Sequence, residues 1–425
     1  MVAPGGHRRG GTQHPRVNAA AQPLLVVTNW GAHGALPLAI LLLAIAAAGM
    51  AYAYALARAS ALSVPAVAGI AAAALAAAWC SPLLFSSDVY AYAAYGELAR
   101  LGLSPYAHAP ANMHDALLRD AAWQWSSSTF PICVYGPAFV ALARAVVEAL
   151  APLGTLAQLD GLRLAASAAL LLIAPLAYAA YGGDRAGKML AATTIVLNPP
   201  AIWCAAEGHN DAIALAVVLA GFAVARRGFF GVGAAIVAFS GLIKSPAAVA
   251  AVALAALHRR ALFGAAMGIA LVVLFSIPLI LGIGTRLAPH GQYAPQASLQ
   301  AAAAIFGPIA ALAAAGALCV ALMVAGYVRL RRGDNEGWLW LGIGAWVLVP
   351  NPYPWYGIWL IALAALAPRT RIATAAILLS FSSLLRYVPD AVGQPAAGAS
   401  VALGVAASLP LLLLLPRGWY NGRPR

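Results

Sequence analysis

Residues 36–57 read LPLAILLLAIAAAGMAYAYALA, an apolar run with no charged side chain. Because an α-helix rises about 1.5 Å per residue, this run can cross a hydrocarbon core about 30 Å thick. Five further runs are of similar length: 64–84, 163–181, 262–283, 306–328 and 397–416. Seven shorter runs could cross only when tilted or shielded by neighbouring helices: 189–205, 211–225, 229–243, 246–257, 338–350, 355–367 and 371–385. The sequence therefore predicts an all-α polytopic membrane protein with about 13 transmembrane helices.

The distribution of basic residues predicts which helix ends face the cytoplasm. The chain is 63% hydrophobic and 9% charged, and its formal net charge is +13. Arginines gather at the ends of apolar runs: Arg226, Arg227, Arg259, Arg260, Arg329, Arg331, Arg332, Arg369 and Arg371. Lys and Arg are enriched in cytoplasmic loops, so these clusters indicate the cytoplasmic side and exclude a groove for nucleic acid. The outer face then receives 85–162, 207–211, Lys244, 284–305, 351–355 and 386–395.

Three regions are predicted along the chain. Residues 1–35 form an N-terminal tail rich in Gly, Pro and Gln, a composition typical of disorder. Residues 36–416 form a single transmembrane domain, and residues 417–425 form a basic cytoplasmic tail.

The outer loop 85–162 contains one segment that could either cross the membrane or lie on its surface. Residues 133–151 are apolar and long enough to cross a membrane as a helix. Arg144 and Glu148 nevertheless lie inside this segment, with the i, i+4 spacing of a surface ion pair. We therefore predict an amphipathic helix that lies along the outer membrane surface.

Asp88 is the first candidate for a catalytic group, because it opens the longest polar stretch of the chain after Phe85-Ser86-Ser87. A carboxylate at the mouth of a membrane-buried bundle is costly unless it is paired or does chemistry. Tyr92 and Tyr95 share its helical stripe at i+4 and i+7, and Glu97 follows two residues later. Two simpler interpretations remain open: Asp88 as a helix N-cap, and the tyrosines as an interfacial aromatic belt.

A second polar cluster, Glu207-Gly208-His209-Asn210-Asp211, lies between two apolar runs. It could bind a divalent metal, orient a sugar, or cap the helix that begins near Ala212. The i, i+2, i+4 spacing of the ionisable groups alternates faces unless the backbone is a loop, so we expect no metal site. The cysteines, Cys80, Cys133, Cys204 and Cys319, show no metal-binding spacing either.

Lys244 is the lone cation in the apolar stretch 229–257 and is followed by Ser245-Pro246. A lysine facing lipid at mid-membrane costs on the order of 2.5 to 3.5 kcal/mol, so we expect a helix break that turns it towards a cavity. An anionic lipid headgroup is the favoured partner, and snorkelling to the interface is the alternative. Other outer residues suited to phosphate or sugar rings are Arg286, Tyr353, Trp355, Tyr356 and Arg386.

Six short motifs follow one another in a fixed order along the chain. They are Asp88-Val89-Tyr90-Ala91-Tyr92, Gly102-Leu103-Ser104-Pro105-Tyr106, Tyr135-Gly136-Pro137, Glu207-Gly208-His209-Asn210-Asp211, Lys244-Ser245-Pro246 and Tyr353-Pro354-Trp355-Tyr356. This series resembles the bacterial polyprenol-phosphate-mannose-dependent alpha-mannosyltransferases, which belong to the GT-C class of membrane glycosyltransferases. The resemblance covers about 85 to 360, and the series is more specific than any one of its members.

The resemblance implies a GT-C-like helical bundle in the bacterial cytoplasmic membrane, with its active site on the outer face. It implies an inverting transfer of a hexose, mannose in that family, from a polyprenyl phosphate to a lipid-linked or glycan acceptor. Asp88 maps onto the catalytic base of that class. Asp88 lacks an adjacent acidic residue, since Ser87 and Val89 flank it, which leaves metal dependence open and implies no other cofactor. The expected substrate-binding residues are Tyr92, Glu97, Glu207, His209, Asn210, Asp211, Lys244, Arg286, Tyr353, Trp355, Tyr356 and Arg386.

Two rival interpretations come from other functional classes. A transporter or lipid flippase would also contain proline-broken helices and a lysine within an apolar stretch. The polar outer segment 85–132 suits an enzyme better, and the sequence shows no internal repeat. A structural partner in an envelope-synthesis complex is the third interpretation, which the intact Asp88 and Lys244 disfavour.

Overall fold

Regular structure in the described part of the chain is entirely helical. The computed structural model describes residues 35–80, 83, 86, 88–108, 117–118, 132–284, 298–349, 353–388 and 397–415. Both predicted tails lie outside these residues, except that Ala35 begins the first helix. Arg286 and the side chain of Arg386 also lie outside them.

The α-helices follow the apolar runs of the sequence. Those of the first half are α1 Ala35–Ala57, α2 Val64–Trp79, α3 Asp88–Arg100, α4 Pro137–Leu150, α5 Thr155–Ala180, α6 Arg185–Val196, α7 Pro199–Ala206, α8 Asp211–Arg226 and α9 Phe230–Phe239. Those of the second half are α10 Val249–Leu257, α11 Arg259–Phe275, α12 Ile277–Gly284, α13 Ser298–Phe306, α14 Pro308–Arg331, α15 Glu336–Trp346, α16 Gly357–Ala364, α17 Arg371–Ser382 and α18 Ala397–Ser408. Short 3-10 helices join several of them.

Polar caps determine where several helices begin. The side chains of Ser63, Asp184, Asn198 and Thr370 each accept a hydrogen bond from the backbone N–H three residues on. Such caps satisfy one of the N–H groups that the first turn of a helix leaves unpaired. Proline at the start of α2, α4, α7 and α14 adds to this, because its missing N–H costs nothing there.

Among the residues that the structure describes, three helices are by length and composition able to cross a membrane: α1, α5 and α14. The pair α6 and α7 meets the same test as one span with a bend of 51° at its break. The apolar run 262–283 is divided at Ser276 into α11 and α12, because Pro278 lacks the N–H that a continuous helix needs and crowds the preceding turn. The described part is compatible with a helical membrane protein, and the total of about 13 crossings stays a prediction.

The described residues form four buried apolar clusters, the smallest of which joins Leu41 of α1 to Leu384 and Tyr387. Helix α5 packs against α8, α8 against α9, and α9 against α11 to form the main cluster, which is rich in alanine. Small side chains let helix backbones approach closely, which is how helices associate in lipid. A second cluster joins α3, α4 and the start of α5, and a third joins α15, α16 and α17.

Helix α4 occupies the middle of the predicted surface segment 133–151. Its 14 residues span about 21 Å, short of a hydrocarbon core. Phe139, Val140 and Val147 are buried against α3, whereas the Arg144–Glu148 pair, 3.6 Å apart, leaves both side chains more than half exposed. This pattern is amphipathic, as expected, and the position of the helix along the outer membrane surface stays a prediction.

Candidate active site

Four separate parts of the chain meet at one end of the bundle. They are the first turn of α3, the turn between α7 and α8, the helix break at Lys244, and the 3-10 helix Pro354–Tyr356. Each of these segments contains one of the motifs singled out in the sequence. The structure therefore brings together residues that lie up to 268 positions apart, from Asp88 to Tyr356.

A Schellman motif at the end of α7 forms the turn that carries His209. The N–H of His209 donates to the carbonyl of Cys204 at 3.0 Å, and that of Gly208 donates to the carbonyl of Ala205 at 3.1 Å. Gly208 has φ 88°, in the left-handed region that glycine enters without steric cost. Glu207, in the same turn, accepts a hydrogen bond from Trp203 at 2.9 Å.

Arg163 of α5 holds this turn from the other side. Its side chain is 2% exposed, its Nε donates to the carbonyl of Ala206 at 2.7 Å, and its guanidinium lies 4.4 Å from the centre of the Trp79 ring. Asp160 balances the charge through a 3.0 Å ion pair. The last carbonyls of a helix have no partner within the helix, so this contact fixes the end of α7 and the turn that follows.

Asp88 lies at the first position of α3, where its backbone N–H donates to Ser86 Oγ at 3.1 Å. Its carboxylate accepts a hydrogen bond from Tyr92 at 3.4 Å and lies 3.7 Å from Nδ1 of His209. The side chain is 18% exposed, against 1% for His209, so Asp88 is the less buried of the two. Burial raises the pKa of Asp88 to about 6, with Lys244 opposing the shift. A carboxylate that titrates near neutrality suits general base chemistry.

His209 lies between Tyr92 on one side and, on the other, the aromatic wall formed by Tyr353, Trp355 and Tyr356. Its ring stacks on Trp355 with 4.2 Å between centroids, and its Nδ1 lies 3.3 Å from the Tyr92 hydroxyl. Tyr135 in turn donates to the Tyr92 hydroxyl at 3.4 Å. Burial lowers the pKa of His209 well below its usual range, and Lys244 acts in the same direction. This lowered pKa favours the neutral form of the His209 ring.

Lys244 lies at the predicted helix break and has a buried partner. The chain changes there from the 3-10 helix Ser240–Leu242 to a second one, Ser245–Ala248. The ammonium donates to Asp211 at 2.6 Å and lies 4.9 Å from the centre of the Tyr356 ring. Asp211 is fully buried and also accepts from Trp359 at 2.7 Å. The pair places one cation beside Asp88 and the aromatic wall.

The aromatic wall consists of Tyr353, Trp355 and Tyr356. Tyr353 stacks on Trp355 with 4.3 Å between centroids and 9° between planes, and Tyr356 meets both rings edge to face. With His209 below Trp355, the rings form a continuous stack that leads from the polar cluster to the partly exposed Tyr353. Such a stack offers apolar faces of fixed geometry to a ring-shaped or chain-like ligand.

The structure gathers most of the predicted site residues. It joins Asp88, Tyr92, His209, Asp211, Lys244, Tyr353, Trp355 and Tyr356 in one cluster. Glu97 instead forms an ion pair with Arg100 at 2.5 Å. Asn210 is buried beside His209. Neither Arg286 nor the Arg386 side chain falls within the described residues.

Four residues of the site were not among the predicted site residues: Arg163, Tyr135, Trp359 and Cys204, whose thiol lies within 4.8 Å of ligand atoms of His209 and Asp211. Arg163 could have been found, because it begins an apolar run as an isolated cation, the same signal that identified Lys244. Tyr135 stood in a quoted motif. Cys204 and Trp359 look like ordinary apolar helix residues and carried no signal of their own.

The fold and this cluster define an integral membrane protein with a polar, carboxylate-bearing site at one end of a helical bundle. A sequence model described as "Alpha-(1->6)-mannopyranosyltransferase, N-terminal domain" matches residues 1–260. The chain belongs to this family of mannosyltransferases, which confirms the resemblance drawn from its motifs.

Two curated relatives align with most of the chain. Alpha-(1->6)-mannopyranosyltransferase A of Mycobacterium tuberculosis is 29% identical over 364 residues, covering 73% of this chain and 68% of the relative. Alpha-(1->6)-mannopyranosyltransferase B of Corynebacterium glutamicum is 26% identical over 412 residues, covering 81% and 67%. No solved structure matches the chain.

Replacing Gly208 with alanine is expected to impair activity as well as folding. A Cβ there would lie 3.0 Å from Val89 Cγ2 and 3.3 Å from Arg163 Cγ, and the left-handed backbone would cost about 1–2 kcal/mol. Gly102→Ala is the matched control, because Gly102 has φ 76° with no atom within 4 Å of a Cβ. The temperature of thermal unfolding and the rate of mannosyl transfer should both be lower for Gly208→Ala, whereas Gly102→Ala should keep its activity. Equal activity in the two variants would contradict a catalytic role for the turn.

Proposed function

We propose that the chain transfers mannose from a polyprenyl phosphate to a hydroxyl of a lipid-linked or glycan acceptor, with inversion, on the outer face of the bacterial cytoplasmic membrane. By its relatives' names, the bond formed is an alpha-(1->6) linkage. The observation that carries the proposal is the grouping of a partly exposed Asp88 with Lys244 and an aromatic wall. These are a base, a cation and a ring-binding surface in one place.

In the proposed reaction Asp88 acts as general base. Its carboxylate takes the proton of the acceptor hydroxyl as the hydroxyl oxygen attacks the anomeric carbon of the donor. The bond between that carbon and the phosphate oxygen breaks on the opposite face, and the polyprenyl phosphate leaves with the electron pair. Tyr92, which donates to the Asp88 carboxylate, holds the base in position.

Lys244 stabilises the phosphate in this proposal. A fixed cation aimed at developing negative charge lowers the barrier most in a site shielded from water. The Lys244 ammonium is held by Asp211, so the phosphate joins an existing ion pair. Arg286 and Arg386 are proposed as further cations for the phosphate. Tyr353, Trp355 and Tyr356 are proposed to contact the sugar or the polyprenyl chain, and Glu97, Glu207, His209 and Asn210 to contact the substrates.

The length of α5 supports an outer location for the site. Arg163, near its start, contacts Ala206 beside the cluster, and Tyr181, just past its end, lines a pocket with Asp334 and Arg369. Eighteen residues of helix separate Arg163 from Tyr181, about 27 Å, close to the thickness of a hydrocarbon core. Arg185 lies near Tyr181 in sequence and donates to the carbonyls of Ser60 and Leu62. The arginine-rich loops and the polar cluster thus occupy opposite ends of this helix.

Cysteine labelling tests this sidedness. In intact cells we expect a membrane-impermeant thiol reagent to react with single cysteines at positions 88 and 353, and not at 58, 185 or 259. The background is a variant in which the four native cysteines are replaced. Labelling at 185 from the outside of sealed cells would reverse the topology.

Mannosyl transfer in proteoliposomes tests the function. Purified protein is given radiolabelled polyprenyl-phosphate mannose or GDP-mannose, with a short mannolipid acceptor. We expect transfer from the polyprenyl donor alone and a 6-linked product on linkage analysis. Transfer from GDP-mannose alone would overturn the donor assignment. Movement of intact polyprenyl-phosphate mannose across the vesicle membrane, without mannosyl transfer, would favour the flippase interpretation.

A further inference from the structure

Three buried side chains of different ligand chemistry meet beside the catalytic cluster. The thiol of Cys204, a ring nitrogen of His209 and a carboxylate oxygen of Asp211 all lie within 4.8 Å of one another. Ligand atoms around a tetrahedral zinc ion are roughly 3.3–3.8 Å apart, given bond lengths of about 2.0–2.3 Å. A shift of about 1 Å in these side chains would let the three atoms bind one ion at the same time.

His209 has the arrangement that metal-bound histidines show. Its Nδ1 faces the Asp88 carboxylate at 3.7 Å and the Tyr92 hydroxyl at 3.3 Å. Its Nε2 is buried and has no hydrogen-bond partner among the described residues. Histidines that bind metals direct their other ring nitrogen to a carboxylate, which fixes the ring and its tautomer. Trp355 stacks on the face of the ring and therefore does not occupy the position in the ring plane next to Nε2.

Asn210 supplies a second, independent indication of a ligand. Its side chain is fully buried, and neither its amide oxygen nor its amide nitrogen has a partner among the described residues. A buried polar group without a partner costs about 1–3 kcal/mol. Because Asn210 lies between His209 and Asp211, a bound ion with its water would supply the missing partner.

Asp211 can bind an ion without losing the contacts it already has. Its two oxygens accept from Lys244 and Trp359, one each. An ionised carboxylate offers about four lone-pair positions, so each oxygen retains one further position.

We propose that Cys204, His209 and Asp211 bind one divalent ion of the zinc class, through sulfur, nitrogen and oxygen, with the fourth position open. From the sequence we expected no metal, because the i, i+2, i+4 spacing of Glu207, His209 and Asp211 alternates faces unless the backbone is a loop. The Schellman turn removes that objection, and Cys204 enters from the helix before it. Use of the open position for a phosphate oxygen would rest on the proposed function, whereas binding of the ion does not.

Metal content and cobalt spectroscopy test the site without turnover. Full-length protein is purified without a polyhistidine tag, stripped with chelator, and reloaded with Zn²⁺ or Co²⁺ alone. We expect about one ion per chain and a cobalt spectrum with both tetrahedral bands and a thiolate charge-transfer band. Cys204→Ser should remove the charge-transfer band, and Cys204→Ser and His209→Gln should each weaken binding by about tenfold or more.

Cys319→Ser is the matched control, since Cys319 is a buried cysteine of α14 outside the cluster. It should keep the wild-type spectrum. A wild-type protein that takes up no cobalt, or a charge-transfer band that survives Cys204→Ser, would overturn the proposal. Mannosyl transfer by protein without bound metal would leave the proposed function intact, so the two failures are distinguishable.

Discussion

Asp88→Asn is expected to lower mannosyl transfer by about 10²- to 10⁴-fold while the protein stays folded and binds its lipid donor. Asparagine keeps the shape of the side chain and can still accept a hydrogen bond from Tyr92. It cannot take a proton from the acceptor hydroxyl, so the loss should fall on kcat rather than on donor affinity. Transfer is measured in proteoliposomes, and donor affinity is measured separately by equilibrium binding.

Asp184→Asn is the control for this substitution. Asp184 caps α6 by accepting a hydrogen bond from the N–H of Gly187 at 2.7 Å, near the predicted cytoplasmic side. Asparagine is as good an N-cap as aspartate, so this variant should behave as wild type. Near-normal turnover of the Asp88→Asn variant would remove Asp88 from the mechanism and make the transporter interpretation the leading one.

Much of the fold could be predicted from the sequence, because apolar runs and caps are local signals. The run 36–57 became α1, and the run 306–328 became α14. Prolines explain several interruptions, such as the one before α12. The number of crossings could not be fixed in the same way. The short helices between 185 and 275 depend on their neighbours for burial. The length of an apolar run alone does not predict those contacts, and so does not predict whether the run crosses the membrane.

The candidate site was predicted in part for a similar reason. Asp88, His209 and Lys244 stand out because polar groups are rare in this chain and costly in a membrane. Their pairing could not be predicted. The expected partner of Lys244 was an anionic lipid headgroup, and the structure pairs it with Asp211. Cys204 and Trp359 are apolar in character, and only the packing of α7 against the site and of α16 against α8 gives them partners.

Lys244→Met is expected to have the second large effect, on both stability and donor binding. Lys244 is 13% exposed and Asp211 is fully buried, so loss of the ammonium leaves an unpaired buried carboxylate. Breaking a buried pair from one side destabilises proteins by about 3–5 kcal/mol. The variant should unfold at lower temperature, and its affinity for polyprenyl-phosphate mannose should fall because the phosphate loses its cation.

A second substitution separates these two effects. Asp211→Asn in the Lys244→Met background removes the unpaired charge while the amide oxygen can still accept from Trp359. The double variant should recover most of the lost thermal stability, since replacing both partners of a buried pair costs far less than removing one. Its donor affinity should stay as low as that of Lys244→Met, because the phosphate still has no cation.

The exposed Arg144–Glu148 pair provides the control for this cycle. Both side chains are more than half exposed, and surface pairs contribute about 0–1 kcal/mol. Arg144→Met and Glu148→Gln, alone or together, should change neither stability nor donor affinity. If the Lys244→Met, Asp211→Asn double variant regained donor affinity along with stability, Lys244 would only neutralise Asp211. The phosphate would then require another cation, and Arg286 and Arg386 on the predicted outer face would be the next candidates.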